Sequence, residues 1–239
     1  MPARELRLER AVDDGAVNTK RDMWTRLVWV AVYAIAMGLL EAICVIYLRR
    51  LFPVNDLGDS PIPSLERLRI EVIREVCTLV MLVAVAWLGG INARSRLACF
   101  FYAFGLWDIV YYAGLHWLSG WPAGFHDWDC LFLIPKPWYG PVLAPVLISA
   151  YFVAGCLWFH GREVSGAPLR WSVVPLLLQF VAFGLWYGSF VKDSAHITRF
   201  GYTGVSYSRL LFVLGMATGI AGLWTASRAS ARAIGVSGD

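Results

Sequence analysis

Charge is the scarcest property of this sequence: only 16% of its 239 residues are Asp, Glu, Lys or Arg. A soluble domain carries about 25%, so a soluble globular enzyme is disfavoured, and so is a disordered chain, which needs polar residues to stay solvated. The net charge of +4 is too small to imply a polyanionic partner, which argues against nucleic acid. Cysteine is sparse as well. The five residues Cys44, Cys77, Cys99, Cys130 and Cys156 form no close metal-type pair and fall mostly in apolar runs. They read as buried structural residues and not as a disulfide framework. No repeat of 20–50 residues and no second domain is visible.

Apolar residues are what the chain has in abundance. They make up 58% of it, with 12 Trp, 10 Tyr and 13 Phe, and the mean hydropathy is +0.57. A bilayer core about 30 Å thick needs about 20 apolar residues in a helix. Six segments meet or approach that length: 27–48, 70–89, 97–118, 142–159, 173–191 and 204–224. The expected fold is therefore all-α, a polytopic transmembrane bundle of six helices joined by short connections. Residues 1–22 are expected to form a mobile charged tail, 23–227 the membrane domain, and 228–239 a C-terminal tail. The first apolar stretch is long enough to span, unlike the short core of a cleaved secretory signal.

Lys and Arg set the orientation. Six spans put 12 of them on the side of the termini and 9 on the other side. This places both termini in the cytoplasm and the protein in a cell membrane, with a bacterial inner membrane as the expected location.

Ionisable residues inside the spans are the functional signal, because each costs about 2.5–3.5 kcal/mol at a helix centre on insertion scales. Glu41 lies late in the first span. Glu71, Arg74 and Glu75 open the second. Asp108 sits mid-way along the third, with His116 near its end. Helical spacing puts Glu71, Glu75 and Thr78 on one face, and Asp108, Tyr112 and His116 on another. With the N-terminus inside, Glu41, Glu75 and His116 fall in the outer half of the bilayer, with Asp108 below them. The following loop adds His126, Asp127 and Asp129 on the same side. Four segments thus converge on one outward-facing pocket. A carboxylate in hydrocarbon takes a proton or meets a cation, so the pocket suits acid–base chemistry, a proton relay or a cationic occupant. The simpler alternative is structural. Arg74 pairs with Glu71 or Glu75 at the membrane boundary, and Asp108 fixes helix packing through Tyr hydroxyls.

No cofactor is assigned. A b-type haem needs two His at matching depth on facing helices, and none of His116, His126, His160 and His196 forms such a pair. A carboxylate–His metal set of Glu41, Glu75, Asp108 and His116 is chemically allowed, yet the sequence has no Glu-x-x-His pair.

The loop 120–141 contains the six-residue run CLFLIP. Pro135, Pro137, Pro141 and Pro145 exclude regular helix through most of 134–141. Trp121, Trp128 and Trp138 are suited to the membrane interface. The loop is expected to be a lid or re-entrant segment, or else an interfacial loop anchored by its Trp residues. The last two spans look like scaffold, and Gly215 and Gly219 form a G-x-x-x-G pair that lets helices approach, within the fold or towards another subunit.

The segments GLLEAICVIYLRR, EVIREVCTLVML, FGLWDIVYYAGLHWL and WDCLFLIPKPWYGPVLAPV resemble those of uncharacterised bacterial six-span membrane proteins. More distantly, the first four spans are similar in pattern to the EXPERA superfamily of emopamil-binding and sterol-isomerase-like proteins. The residues that match are Glu41 with Tyr47, Glu71 or Glu75, Asp108 with Tyr111 and Tyr112, and Trp138 with Pro145. That resemblance implies a cavity for a hydrophobic, sterol-like ligand inside the bundle. The second span has no His and the fourth no Asn, so it implies the position of a pocket and no isomerase chemistry.

The leading expectation is a pocket that binds or processes a lipid-like or small hydrophobic molecule. Glu41, Glu75, Asp108 and His116 are its candidate catalytic residues, and Glu71, Arg74, Tyr112, Asp129 and Trp138 its candidate ligand contacts. An alternative is a non-catalytic accessory subunit that joins other membrane subunits through the Gly215/Gly219 face. A third reading, an ion or proton pathway, lacks polar residues in the inner half of the spans.

Overall fold

A computed structural model describes the backbone of residues 2–51, 65–167, 169 and 171–235, and the side chains of 21–51, 68–167, 169 and 171–228. The tail charges between residues 1 and 20, and Arg67, Arg170 and Arg232 of the orientation argument, lie outside the described side chains. Among the described residues, seven helices and one hairpin follow in the order α1 (Pro2–Leu51), α2 (Leu65–Gly89), α3 (Ala93–Ser119), β1 (Trp128–Phe132), β2 (Trp138–Pro141), α4 (Leu143–Val164), α5 (Val173–Val191), α6 (Ser194–Phe200) and α7 (Arg209–Gly235). Six stretches among the described residues are long and apolar enough to cross a membrane: Arg21–Leu51, Leu68–Gly89, Ala93–Ser119, Leu143–Val164, Val173–Phe200 and Arg209–Arg228. The protein is a multi-pass membrane protein of the all-α class. Helix α1 is continuous past residue 22.

Local sequence sets the helix ends. Asn92 caps α3 through a reciprocal pair, its Oδ1 accepting from Ser95 N at 2.9 Å while Ser95 Oγ accepts from Asn92 N at 3.0 Å. This capping box satisfies two amides that have no partner inside the helix. At the other end Gly120, at φ 74°, closes α3 by donating its N–H to the His116 carbonyl, a left-handed conformation that favours glycine.

Helix α3 is the centre of the molecule, packing against α1, α2 and α4, while α5 packs along α7. The α1–α2–α3 core holds Leu27, Val30, Ala34, Leu82, Ala86 and Trp107, and a second core joins Ala144 and Ile148 of α4 to Ala182, Trp186 and Phe190 of α5. Small residues allow the close approaches near α3. A Cβ on Gly38 would meet the Trp107 carbonyl oxygen at 2.7 Å, and one on Gly105 would meet that of Ser149 at 2.6 Å. The outward faces, with Ile73, Val80, Leu88, Phe180 and Leu210, are exposed and apolar, as a lipid-facing surface requires.

The same close-packing argument settles the G-x-x-x-G pair of α7. A Cβ on Gly215 would lie 2.6 Å from the Trp186 ring, and one on Gly219 would lie 3.1 Å from Tyr151 Oη. Both glycines therefore pack against α4 and α5 inside the chain. This is the within-fold packing that the pair allows.

The loop after α3, expected as a lid or re-entrant segment or as an interfacial loop, takes the form of a strand pair. The prolines do exclude helix, but the segment folds as an antiparallel hairpin, with Trp128 opposite Pro141, Cys130 opposite Tyr139, Phe132 opposite Trp138, and a register shift between Cys130 and Phe132. Its open end is fastened to the start of α4 by Val142 N–H to the Asp127 carbonyl and Leu143 N–H to the Phe125 carbonyl, both 2.9 Å. The hairpin enters the bundle. The Phe132 ring stacks on Phe104 with centroids 6.0 Å apart, and Phe104 is about 22 Å along α3 from Ser119 at 1.5 Å per residue. Backbone polar groups are tolerated at such depth where protein encloses them.

Candidate functional site

The ionisable residues converge as helical spacing dictates. Arg74, Glu75 and Thr78 on α2 project from one face, as do Trp107, Asp108, Tyr111 and Tyr112 on α3. Together with Glu41 of α1 and with Cys130, Leu131 and Phe132 of β1, they line one cavity of about 30 Å³. Glu41 is 6% exposed, Glu75 5% and Asp108 6%. The hairpin forms the roof.

Each acid has a different partner. Arg74 forms ion pairs with Glu41 across the α1–α2 contact and with Glu71 on its own helix, the latter at 2.8 Å. Thr78 Oγ1 also donates to Glu41, 3.3 Å from either carboxylate oxygen. Glu75 is held by the hairpin, because Leu133 N–H donates to its two oxygens at 2.9 and 3.0 Å. Asp108 accepts from Ser149 Oγ on α4 at 2.8 Å. The structural alternative for Arg74 therefore holds in part. It pairs within α2 with Glu71, but it also crosses to α1, and Glu75 bonds the hairpin instead.

Asp129 lies above the cavity on β1. It accepts from the Tyr112 hydroxyl at 3.1 Å and faces Arg49 of α1 at 3.5 Å. Arg49 also stacks over the Trp121 ring, 3.9 Å from its centroid. Burial raises the Asp129 carboxyl above its ordinary range, against the opposing pull of Arg49 and the Tyr112 hydroxyl. Burial likewise pushes the Cys130 thiol up, which keeps it protonated and unsuited to act as a nucleophile.

Two of the expected site residues stand elsewhere. His116 is exposed, with Nδ1 2.7 Å from the Pro122 carbonyl oxygen. It lies two turns beyond Asp108, and the cavity closes before reaching it. Trp138 packs against Phe132, Tyr187 and Phe190, so it ties the hairpin to α5 and does not line the cavity. Glu71 reaches the site through its pairing with Arg74. Asp127 accepts from Ala123 N–H and Gly124 N–H at 2.7 and 3.2 Å, a turn closure, and His126 is exposed. With His116 outside, the four-residue metal set loses its nitrogen ligand. Among the described residues no group of three or more His, Cys, Asp or Glu could hold a metal ion.

Sequence reasoning missed Ser149, Trp107 and the β1 wall. Ser149 could have been found as a polar residue in the apolar run of α4 at the depth of Asp108. Trp107 carried no polar signal, and the β1 residues depend on a fold-back that spacing does not encode. The chain matches no protein-family model, no curated protein and no solved structure.

Proposed function

We propose that the protein binds a small, largely apolar molecule at the roofed carboxylate cavity and handles a proton or hydrogen bond at that molecule's polar group. The carrying observation is that Glu41, Glu75 and Asp108, from three separate helices, line one cavity in which Arg74 is the cation. Buried acids grouped in this way are costly to fold, and intramembrane ionisable groups mark substrate or proton sites by default. Asp108 and Glu75 are the acid–base residues in this reading, Glu41 and Arg74 the electrostatic partner pair, and Tyr112 the orienting hydroxyl. The cavity of about 30 Å³ admits only the polar end of a ligand, since whole-ligand sites span about 300–1,000 Å³. The apolar body therefore needs the hairpin roof to yield, and the Leu133–Glu75 tie is where it opens. The 12 to 9 distribution of Lys and Arg and the resemblance to bacterial six-span proteins support a bacterial inner membrane, with both termini cytoplasmic.

The test is retention of a native ligand. Full-length protein is extracted from its membrane in mild detergent, and the small molecules it carries are released into organic solvent and weighed per mole of protein. Near-stoichiometric recovery of one apolar species from the wild type, and at least tenfold less from a folded Glu75→Gln/Asp108→Asn variant, is expected. Equal recovery from both proteins contradicts the proposal.

A further inference from the structure

The residues that line the cavity carry acceptors in excess, and one of them, Trp107, has a stranded donor. Asp108 takes the Ser149 hydrogen bond at Oδ2, and the Leu133 N–H is shared between the two oxygens of Glu75. An ionised carboxylate offers about four lone-pair sites, so both of these lining residues have acceptor capacity to spare. Trp107 forms part of the same wall and is 6% exposed, and its Nε1–H is buried with no hydrogen-bond partner. Stranding a buried donor is costly, and nearly all buried polar groups in folded proteins have a partner. The void of about 30 Å³ has room for about one or two water-sized groups.

We infer that the polar group taken by this cavity is a hydroxyl, so that the ligand class is an alcohol, with water standing in the same place when the alcohol is absent. The inference rests on the ligand-binding reading above and narrows it. A hydroxyl accepts from the Trp107 indole and donates to Asp108 or Glu75, using one oxygen atom. An ammonium has no lone pair and leaves Trp107 Nε1 stranded. A carboxylate adds a further negative charge beside buried acids. An amide can donate and accept, but it places two polar heavy atoms where the volume suits a single small group. The aromatic rings of Trp107, Tyr111, Tyr112 and Phe132 around the void suit the first carbons of an alkyl chain behind the hydroxyl.

A chain-matched set tests the assignment: 1-dodecanol, dodecylamine and dodecanoate, each titrated into the full-length protein in lipid nanodiscs, with thermal unfolding as the readout. Dodecanol is expected to raise Tm saturably. Its half-saturating concentration should rise about tenfold in Trp107→Phe, the loss of one hydrogen bond, while any response to the amine and the acid is the same in both proteins. Should Trp107→Phe fail to fold, Asp108→Asn replaces it and is expected to weaken dodecanol by a similar factor. Saturable stabilisation by dodecylamine that exceeds that of dodecanol, or a dodecanol response indifferent to both variants, overturns the hydroxyl assignment and leaves the cavity as a ligand site of other chemistry. No saturable response to any of the three, together with equal ligand recovery in the extraction experiment, overturns the ligand-binding reading itself.

Discussion

Removing Arg74 perturbs the acid cluster most directly, because one guanidinium serves two helices. It pairs with Glu41 on α1 and Glu71 on α2, whose side chains are 7% and 12% exposed. Arg74→Met keeps the stem and deletes the charge, so Glu41 must either stay ionised in apolar surroundings or take a proton. Protonating a glutamate of ordinary pKa, about 4.3, costs about 3.7 kcal/mol near pH 7 and about 1 kcal/mol near pH 5. That cost is a ceiling, since the carboxyl neutralises once staying charged becomes more expensive. The expected loss of stability is therefore up to about 3.7 kcal/mol near neutral pH, at the lower end of the about 3–5 kcal/mol for breaking a buried pair from one side. Near pH 5 it shrinks to about 1 kcal/mol per carboxylate. The assay is reversible unfolding by an added denaturing detergent in mixed micelles, run at both pH values on wild type, Arg74→Met, Glu41→Gln and the double variant. The double variant, which buries no unpaired Glu41 charge, is expected to recover most of the loss. A loss independent of pH, or a double variant no more stable than Arg74→Met, would refute the reasoning.

Other consequences are equally concrete. Burial raises the Asp129 carboxyl, so its contribution to stability is complete in acid and fades as pH climbs from about 3.9 through the folded value. Asp129→Asn does not titrate there, so its Tm relative to wild type should rise from pH 4 to pH 7, and a falling difference would contradict the burial argument. Glu75→Leu removes the acceptor of the Leu133 amide and should strip that amide of hydrogen-exchange protection, whereas Glu75→Gln, with a carbonyl in place, should retain much of it. Gly105→Ala would drive a Cβ to 2.6 Å from the Ser149 carbonyl oxygen and should cost about 1–3 kcal/mol by overpacking, measured by the same unfolding assay. Gly215→Leu, pressing on Trp186, should destabilise the chain without changing its size in detergent; a change of oligomeric state would instead favour the subunit reading of that face.

The sequence made the spans and the acid convergence legible because both follow from local rules. Apolar length defines a span, and a period of 3.6 residues decides which side chains share a face, so Glu75 with Thr78 and Asp108 with Tyr112 could be paired before any coordinates. Depth followed from counting residues to the span ends, and it placed Glu41 beside them. The same rules carried His116 too far, because a shared stripe fixes direction and not where a cavity closes. The hairpin was out of reach for a different reason. Its prolines deny helix, but its strands are short, and their place is set by Phe132 stacking on Phe104 and Trp138 on Phe190, contacts distant in sequence. The roof, and with it the closure of the cavity, follows from those contacts. The partners of α7 were likewise ambiguous, since a G-x-x-x-G pair has the same appearance whether its neighbour is in the same chain or another.

The central claim is that three carboxylates and the Trp107 indole enclose a space filled by one hydroxyl-sized group. A high-resolution density map of the purified protein in nanodiscs tests it most directly. The account predicts a discrete peak within about 3.2 Å of Trp107 Nε1 and of an Asp108 or Glu75 oxygen, beneath a hairpin bonded to Glu75. A map in which Trp107 Nε1 donates to a protein atom, with Glu41, Glu75 and Asp108 turned to different sides of the bundle, would contradict it.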